Sequence, residues 1–261
     1  MRKALVKSWG ADQESIRIGP LSDIHLGSPQ FSERAFTQFL DQVEGDPDFY
    51  LVLNGDYIEN ITRSSIGELW EQRMTPSEQI REVAARLMRV KDRILCVTEG
   101  NHELRSRKET SFEPARMLVE KMGLAEELYQ PEGAVVVVRL GYCSRENRKT
   151  PMVYTLYVTH GSTGGRLPGA KIVAADRLGQ VVEGVDVVVM GHVHDMISRK
   201  TSVMRVDTHT RNVEPRVQVQ LVAGAFLEWG GYSQRQGYHP GAVGMPSVLL
   251  SGRGRQMEIR M

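Results

Sequence analysis

The chain contains 261 residues, of which 41% are hydrophobic and 25% are charged. These fractions are close to the averages of globular proteins, and they exclude a fibrous or largely disordered chain. Lysine and arginine total 33 against 32 acidic residues, so the net charge of +1 gives no general electrostatic signal for nucleic acid or an anionic membrane. Because one large α/β domain can have this length, we expect residues 1–261 to form a single domain.

Short apolar runs alternate with stretches of helical periodicity over the first 190 residues, a pattern typical of an α/β fold. In the first predicted helix, Phe36, Phe39 and Leu40 share one face. The predicted helices cover residues 32–43, 76–90, 113–122 and 169–182. Strands are predicted at residues 16–18, 50–53, 94–97, 154–158 and 185–190.

After residue 193 the pattern changes to short strands and turns. Strands are predicted at residues 203–206, 217–222, 247–250 and 256–259. A run of this kind suits a second sheet packed against the first. Residues 226–238, which are rich in glycine and aromatic side chains, are predicted to form an ordered surface loop.

The cysteines and the N-terminal residues predict the compartment. Cys96 lies in an apolar strand-like run and Cys143 in a polar loop, so nothing suggests a disulfide framework. Although Arg2 and Lys3 open the chain, no apolar run of signal-peptide or membrane-span length follows. We therefore expect a cytoplasmic protein that does not bind a membrane.

A polar motif follows each of the five strands predicted in the first 190 residues. Polar groups at the ends of neighbouring strands converge in one crevice. Five of the seven histidines lie in these motifs, which is hard to reconcile with histidines scattered for packing. The motifs are Ser22-Asp23-Ile24-His25, Gly55-Asp56, Gly100-Asn101-His102-Glu103, Thr159-His160-Gly161 and Gly191-His192-Val193-His194.

The side chains in these motifs predict a site for two metal ions. Mixed carboxylate, imidazole and amide ligands suit manganese, zinc, iron or nickel. Asp23 and His25 would face one ion if their segment is extended, whereas His192 and His194 would share an ion in an extended chain and face two ions in a turn. Two ions about 3.5 to 4 Å apart can clamp the attacking and leaving oxygens of an in-line displacement. Such a pair needs a bridging carboxylate, for which Asp56 is the candidate.

The five motifs in this order resemble the calcineurin-like metallophosphoesterase superfamily, over residues 18–194. The resemblance implies an α/β fold, a four-layer sandwich of two facing mixed β-sheets flanked by helices. It also implies hydrolysis of a phosphoester with two divalent ions, among which manganese is favoured. By the same resemblance, Asp23, His25, Asp56 and His194 would bind one ion, and Asp56, Asn101, His160 and His192 would bind the other.

The resemblance assigns catalytic roles as well. His102 matches a histidine that protonates the leaving oxygen or stabilises its developing charge, and Asn101 would help to hold the phosphoryl oxygens. Glu59 falls where the protein-phosphatase branch carries an acid that orients this histidine. Asn60 stands where that branch has a phosphate-binding arginine, which disfavours a phosphoprotein substrate.

Two further groups are candidates for substrate contacts. Arg105 and Arg107 follow the Gly-Asn-His-Glu motif in a segment expected to be a solvated loop, and either could hold a substrate phosphate. Trp229, Tyr232 and Tyr238 are expected to pack within their own loop, although aromatic side chains beside a phosphoester crevice can also stack a nucleobase.

Three functions are consistent with these observations. A phosphodiesterase acting on nucleotides or nucleic acid is favoured, and a nucleotide phosphomonoesterase is the alternative hydrolase. The neutral net charge disfavours long nucleic acid. A non-catalytic metal-binding scaffold would keep the fold, but the loss of a ligand or of the leaving-group histidine that would mark it is not seen.

Overall fold

The computed structural model describes residues 3–63, 65, 69–145, 148–163, 165, 167–208, 211–235, 237 and 239–261. In these residues the strands are β1 (Leu5–Ser8), β2 (Ser15–Leu21), β3 (Phe49–Asn54), β4 (Ile94–Thr98), β5 (Ala134–Arg145), β6 (Arg148–Thr159), β7 (Val187–Met190), β8 (Ile197–Val206), β9 (Val213–Val222), β10 (Ser247–Ser251) and β11 (Met257–Arg260). The helices are α1 (Glu33–Gly45), α2 (Pro76–Leu87), α3 (Asn101–Thr110), α4 (Pro114–Met122), α5 (Pro168–Leu178) and α6 (Gly231–Arg235).

The strands form two mixed sheets. One sheet has six strands in the order β1-β5-β6-β7-β9-β8, and the other has five in the order β11-β10-β2-β3-β4. Neighbours β2, β3 and β4 are parallel, as are β6, β7 and β9, whereas the hairpins β5–β6, β8–β9 and β10–β11 are antiparallel. Parallel strands direct their carboxyl ends to the same edge, which is where the predicted ligand motifs begin.

Helices and sheets pack in four layers, which confirms the predicted fold class. Ile18 and Val52 of the five-stranded sheet pack against Val136 and Leu156 of the six-stranded sheet in a continuous apolar core. The outer face of the five-stranded sheet is covered by α1, α2 and α4, whose apolar stripes join a second core. Helix α5 covers the six-stranded sheet through Ala175. Burial on both faces explains why the central strands are nearly continuous apolar runs.

Two sequence predictions are corrected by the fold. The strands after residue 196 do not form a second sheet by themselves, because β8 and β9 extend the sheet of β6 and β7 while β10 and β11 extend that of β2. Arg105 and Arg107 lie on helix α3 and not on a loop. Helix α3 has few apolar residues, so the hydrophobic periodicity that reveals the other helices is absent from it.

Among the residues that the structure describes, no helix has the length and apolar character needed to cross a membrane.

Candidate metal centre

The loops after β2, β3, β4, β6 and β7 bring all seven predicted metal ligands together at one edge of the sandwich. Three of these strands belong to the five-stranded sheet and two to the six-stranded sheet, so the cluster lies where the two sheets meet. Its histidine and carboxylate members fall into two groups that share Asp56. Within each group the ligand atoms lie within 4.8 Å of one another. The groups are Asp23, His25, Asp56 and His194, and Asp56, His160 and His192.

The first group surrounds a small space with nitrogen and oxygen atoms. The Nε2 atom of His194 lies 3.1 Å from Asp23 Oδ1 and 3.0 Å from His25 Nε2. The second carboxylate also faces this space, since Asp56 Oδ2 lies 3.8 Å from His25 Nε2. Four potential donor atoms to a metal ion therefore point to one place.

The second group includes the amide of Asn101. His160 Nε2 lies 3.1 Å from Asp56 Oδ2 and 3.1 Å from Asn101 Oδ1, and His192 Nδ1 lies 2.7 Å from the same amide oxygen. The two histidines of the last motif thus belong to different groups. The sequence left open whether His192 and His194 lie in an extended chain or in a turn, and the structure shows a turn.

Hydrogen bonds prepare two of the imidazoles to bind a metal. His25 donates from Nδ1 to the Glu59 carboxylate at 3.0 Å, and His160 donates from Nδ1 to the Asn54 carbonyl at 2.7 Å. Because a carboxylate or carbonyl oxygen only accepts, each ring carries a proton on Nδ1, and Nε2 is the nitrogen that can bind a metal when it loses its own proton. This pattern, in which the far nitrogen is fixed by an acceptor, is common in metal-binding histidines. The donor set fits two divalent ions.

The electrostatics of the cluster favour positive charge. Burial by itself lowers the pKa of both imidazoles, but Glu59 and other nearby carboxylates raise the pKa of His25 to about 9. The Asp56 carboxylate likewise outweighs the effect of burial on His160 and raises the pKa of that imidazole to about 10. Burial raises the pKa of Asp56 itself, yet the imidazoles of His160 and His102 hold it well below its usual value. The protons on these imidazoles balance the negative charge of the carboxylates. A divalent cation bound in their place would supply the same positive charge.

The ligand loops have an unusual backbone conformation. Residues with positive φ are uncommon outside glycine, and they concentrate at functional sites. Asp23 and His25 are therefore not in the extended segment expected from the sequence, although their side chains still meet. Positive φ values occur at Asp23 (51°), His25 (50°), Asp56 (52°), His192 (72°) and His194 (52°).

Two glycines allow the central loops to touch. A Cβ atom on Gly100 would lie 2.1 Å from Asp56 Oδ1, and one on Gly55 would lie 2.5 Å from the Gly100 nitrogen. Gly55 also has a φ of 82°, which other residues rarely adopt. The loops that carry Asp56 and Asn101 can pack directly because neither glycine has a side chain.

Glu103 holds these two loops together, a role that the sequence analysis missed. Its buried carboxylate accepts hydrogen bonds from the backbone N–H groups of Gly100 (3.0 Å), Asp56 (2.9 Å), Tyr57 (2.8 Å) and Ile58 (3.3 Å). A glutamate three residues after the residue that precedes a helix is a known capping signal. That spacing could have revealed the role of Glu103 if helix α3 had been recognised.

His102 lies beside the shared carboxylate, with its Nε2 atom 3.9 Å from Asp56 Oδ2 and its side chain 12% exposed. Burial lowers the pKa of His102 to about 4. The expected contact with the Glu59 carboxylate is not formed, because that carboxylate binds His25. His102 instead donates from Nδ1 to the backbone carbonyl of Glu59 at 2.6 Å, and Arg105 Nη2 donates to His102 Nε2 at 3.0 Å. Glu59 therefore contacts both histidines through different atoms.

Arg107 and Asn60 have other surroundings. Arg107 donates to the Glu99 carboxylate at 2.7 Å. Asn60 is buried, accepts a hydrogen bond from the Ser106 hydroxyl at 2.8 Å and donates to the carbonyl of His102. Asn60 thus anchors helix α3 at the position where a phosphate-binding arginine would otherwise stand.

Two cavities adjoin different parts of the cluster. One, of about 180 Å³, reaches His194 of the first group and is walled by Lys171, Trp229 and other residues of the 225–242 segment. The other, of about 500 Å³, reaches Asn101 and His160 of the second group and contains Arg107. Of the predicted aromatic contacts, Trp229 lines the smaller cavity, whereas Tyr238 and the side chain of Tyr232 lie outside the described residues.

The four-layer fold and the two-metal geometry define a candidate metal-dependent hydrolase. A family model described as calcineurin-like phosphoesterase matches residues 16–196. The chain therefore belongs to the calcineurin-like phosphoesterase family. Membership supports phosphoesterase activity in general, a phosphoester substrate and divalent metal ions.

Solved structures that are similar to this chain have low sequence identity to it. GAP50, the anchor in the inner membrane complex of Plasmodium, is 10% identical and aligns with a TM-score of 0.50 over 95% of this chain and 84% of its own. The calcineurin-like phosphoesterase YfkN from Bacillus subtilis is 11% identical, with a TM-score of 0.43 and coverages of 95% and 91%. Vacuolar protein sorting 29 from Cryptosporidium parvum is 12% identical, with a TM-score of 0.40 and coverages of 95% and 97%. A comparison with curated protein sequences found no significant match.

Proposed function

We propose that the protein is a cytoplasmic phosphodiesterase that uses two divalent ions, preferably manganese, to hydrolyse nucleotide-type substrates. The observation that carries the proposal is the carboxylate of Asp56, which is shared by two groups of ligand atoms. A shared carboxylate is what a two-metal hydrolase requires to hold its ions close together. The free, buried thiol of Cys96 suits a reducing compartment.

The two cavities favour a diester over a monoester. A phosphodiester carries a substituent on each side of phosphorus, and each substituent needs space beside the ions. The cavity at His194 and the cavity at Asn101 and His160 lie at different parts of the cluster. A monoester would leave one of them without a role in binding.

Each ligand and catalytic residue has a proposed task. The ions, once bound by Asp23, His25, Asp56, Asn101, His160, His192 and His194, would activate water and polarise the phosphoryl group. Arg105, which donates to Nε2 of His102, would bring positive charge to the leaving oxygen, and His102 would stabilise or protonate that oxygen once Nε2 itself carries a proton. Glu59 would fix both His25 and His102, and Asn101 would hold the phosphoryl group in line. Arg107 would contact the substituent in the larger cavity.

The direct test compares bis(p-nitrophenyl) phosphate with p-nitrophenyl phosphate. Turnover is measured with added manganese and with a chelator, for the wild type and for His102→Ala. We expect diester turnover that the chelator abolishes and that His102→Ala lowers about 10²- to 10⁴-fold. The matched control is Lys108→Ala, because Lys108 is exposed on the same helix.

The other outcomes separate the remaining functions. Turnover of the monoester alone would indicate a phosphomonoesterase. Two bound ions per chain without turnover of either ester would indicate a metal-binding scaffold. Full diester activity in His102→Ala would contradict the role given to this histidine.

A further inference from the structure

The smaller cavity opens directly beside the first ligand group. Its walls include Val193 and His194 from the last ligand motif, so a group in the cavity contacts the loop that would hold an ion. Lys171 of α5 forms another wall, and further walls come from Ala225, residues 227–229 and residues 239–242. The segment around Trp229 is thereby placed at the substrate side of the candidate metal centre.

The walls combine apolar surface with hydrogen-bond acceptors. Val193, Leu227 and Pro240 are apolar, and Trp229, which is 48% exposed, offers a flat aromatic surface. Flat aromatic side chains stack on nucleobases irrespective of base identity. The cavity therefore offers a suitable wall for a planar ring.

The charged residues of the cavity disfavour a phosphate as its occupant. The carboxylates of Asp195 and Glu228 line it, and Lys171, the lysine among its described lining residues, is already paired with Asp195 at 3.2 Å. Carboxylates repel a phosphate, but they accept hydrogen bonds from the amino groups of a base. An uncharged ring with N–H donors is the chemistry that satisfies both the flat and the acidic walls.

The size of the cavity limits its occupant. A volume of about 180 Å³ is below the range of about 300 to 1,000 Å³ that is usual for drug-sized ligands. One ring system fits this volume better than a complete nucleotide does. The phosphate of the same molecule would then lie outside the cavity, at the ligand cluster.

We propose that this cavity binds the base of a nucleotide substrate and that Trp229 stacks on that base. The inference rests on the proposed phosphodiesterase function and deepens it, because it names the substrate class and the residue that selects it. The ion pair of Lys171 and Asp195 ties α5 to the end of the ligand loop, and the carboxylates select bases that carry amino groups.

The first experiment uses esters that share one leaving group. Adenosine 5′-(p-nitrophenyl phosphate) is compared with methyl and hexyl p-nitrophenyl phosphate, and the value of kcat/KM is measured for each. We expect the wild type to prefer the adenosine ester. Trp229→Ala should reduce the ratio of the adenosine to the methyl value by at least about tenfold, and Trp229→Phe should retain most of that ratio.

Trp70→Ala is the matched control, because Trp70 is 94% exposed and is not part of the cavity wall. Its adenosine-to-methyl ratio should equal that of the wild type. The inference is overturned if Trp229→Ala leaves the ratio unchanged, or if the hexyl ester is preferred as strongly as the adenosine ester. The methyl ester reports loss of folding, since a misfolded variant loses both activities.

A binding measurement separates this inference from the proposed function. The affinity of adenosine 5′-monophosphate is measured by calorimetry in the presence of manganese, for the wild type, Trp229→Ala and Trp229→Phe. If no ester is hydrolysed but binding weakens in Trp229→Ala alone, the phosphodiesterase proposal fails and the base site stands. If esters are hydrolysed but all three proteins bind the nucleotide equally, or none binds it, the base site is wrong.

Discussion

The two ligand groups are held by different means. All four members of the first group, Asp23, His25, Asp56 and His194, are in the left-handed backbone region. In the second group Asp56 and His192 are also left-handed, but Asn101 lies at the first turn of α3 and His160 directly follows β6. His25 donates from Nδ1 to the side chain of Glu59, whereas His160 donates from Nδ1 to the backbone carbonyl of Asn54.

This difference suggests how each ion would respond to mutation. The first group depends on strained loops and on a replaceable carboxylate, so single side-chain changes can weaken it. A carboxylate partner also makes an imidazole a stronger ligand than a carbonyl partner does. In the second group only Asp56 and His192 are left-handed, and the partner of His160 is a backbone carbonyl that no side-chain substitution removes. Variants can therefore affect both ions, the first ion alone, or neither.

The largest effect should come from Asp56→Asn, because the shared carboxylate belongs to both groups. We expect turnover to fall by about 10³-fold or more, since loss of the ions removes several kcal/mol of transition-state stabilisation. Bound metal should fall from two ions per chain, as measured by elemental analysis. Melting of the variant should also be insensitive to chelator, whereas chelator should lower the melting temperature of the wild type. Two retained ions at full activity would contradict the bridging role.

Glu103→Gln should give the next largest effect and should not distinguish between the groups. The Glu103 carboxylate accepts hydrogen bonds from four backbone N–H groups. Glutamine replaces one of its oxygens by an NH₂ group, which donates and cannot accept from these N–H groups. Leaving a buried donor unsatisfied costs about 1–3 kcal/mol, so the free energy of unfolding should fall by that amount. Affinity for both ions should decline because the loops of Asp56 and Asn101 lose their common anchor.

The control for Glu103→Gln is Glu120→Gln, which changes an exposed glutamate on α4. Its denaturation curve should match that of the wild type. If Glu103→Gln unfolds like the wild type and binds both ions normally, the four hydrogen bonds do not define the loop geometry.

Glu59→Gln should separate the two groups. Glutamine keeps an oxygen for the Nδ1–H of His25 but loses the negative charge. Outer partners of this kind change metal affinity by about 10- to 100-fold, and we expect this weakening for one ion only. A manganese titration followed by calorimetry should therefore show one weakened site beside one that is unchanged. Equal weakening of both sites would show that the two ligand groups do not bind their ions independently.

Local signals in the sequence predicted nine of the eleven strands in the described residues, all but β1 and β5. The ligand assignment stays a prediction, although the structure brings these side chains together. Buried parallel strands require continuous apolar runs, and polar motifs such as Gly55-Asp56 mark the point where those runs end. The left-handed conformation of His25 could not be predicted in this way. It depends on bonds between loops that are distant in sequence, such as that from the His25 N–H to the Asp56 carbonyl.

The substrate side was harder to predict for the same physical reason. The small cavity joins Lys171, His194 and Trp229, which lie on separate elements and share no sequence spacing. Helix α3 was missed because its buried residues are the polar Glu103 and Ser106. Where burial is achieved by hydrogen-bonded polar groups, the apolar periodicity that identifies a helix is lost.

The smallest effect tests whether left-handed strain is confined to the ligand loops. Ser111 ends α3 with a φ of 60°, but its side chain is exposed and is no predicted ligand. A left-handed residue other than glycine costs about 1–2 kcal/mol, and glycine loses about 0.5–1 kcal/mol more entropy on folding. Ser111→Gly should therefore raise the free energy of unfolding by about 0.5–1 kcal/mol without changing turnover.

The reverse substitution is available at the end of the neighbouring helix. Gly123 ends α4 with the same φ of 60°, and a Cβ atom there would meet no atom within 4 Å. Gly123→Ser should destabilise the protein by a similar amount through its backbone alone, measured by the same chemical denaturation. At Asp23 or His25, glycine would relieve the same strain but remove a ligand. Because loss of metal in Asp23→Gly would report the missing ligand, the cost of the left-handed backbone itself is measured at Ser111 and Gly123.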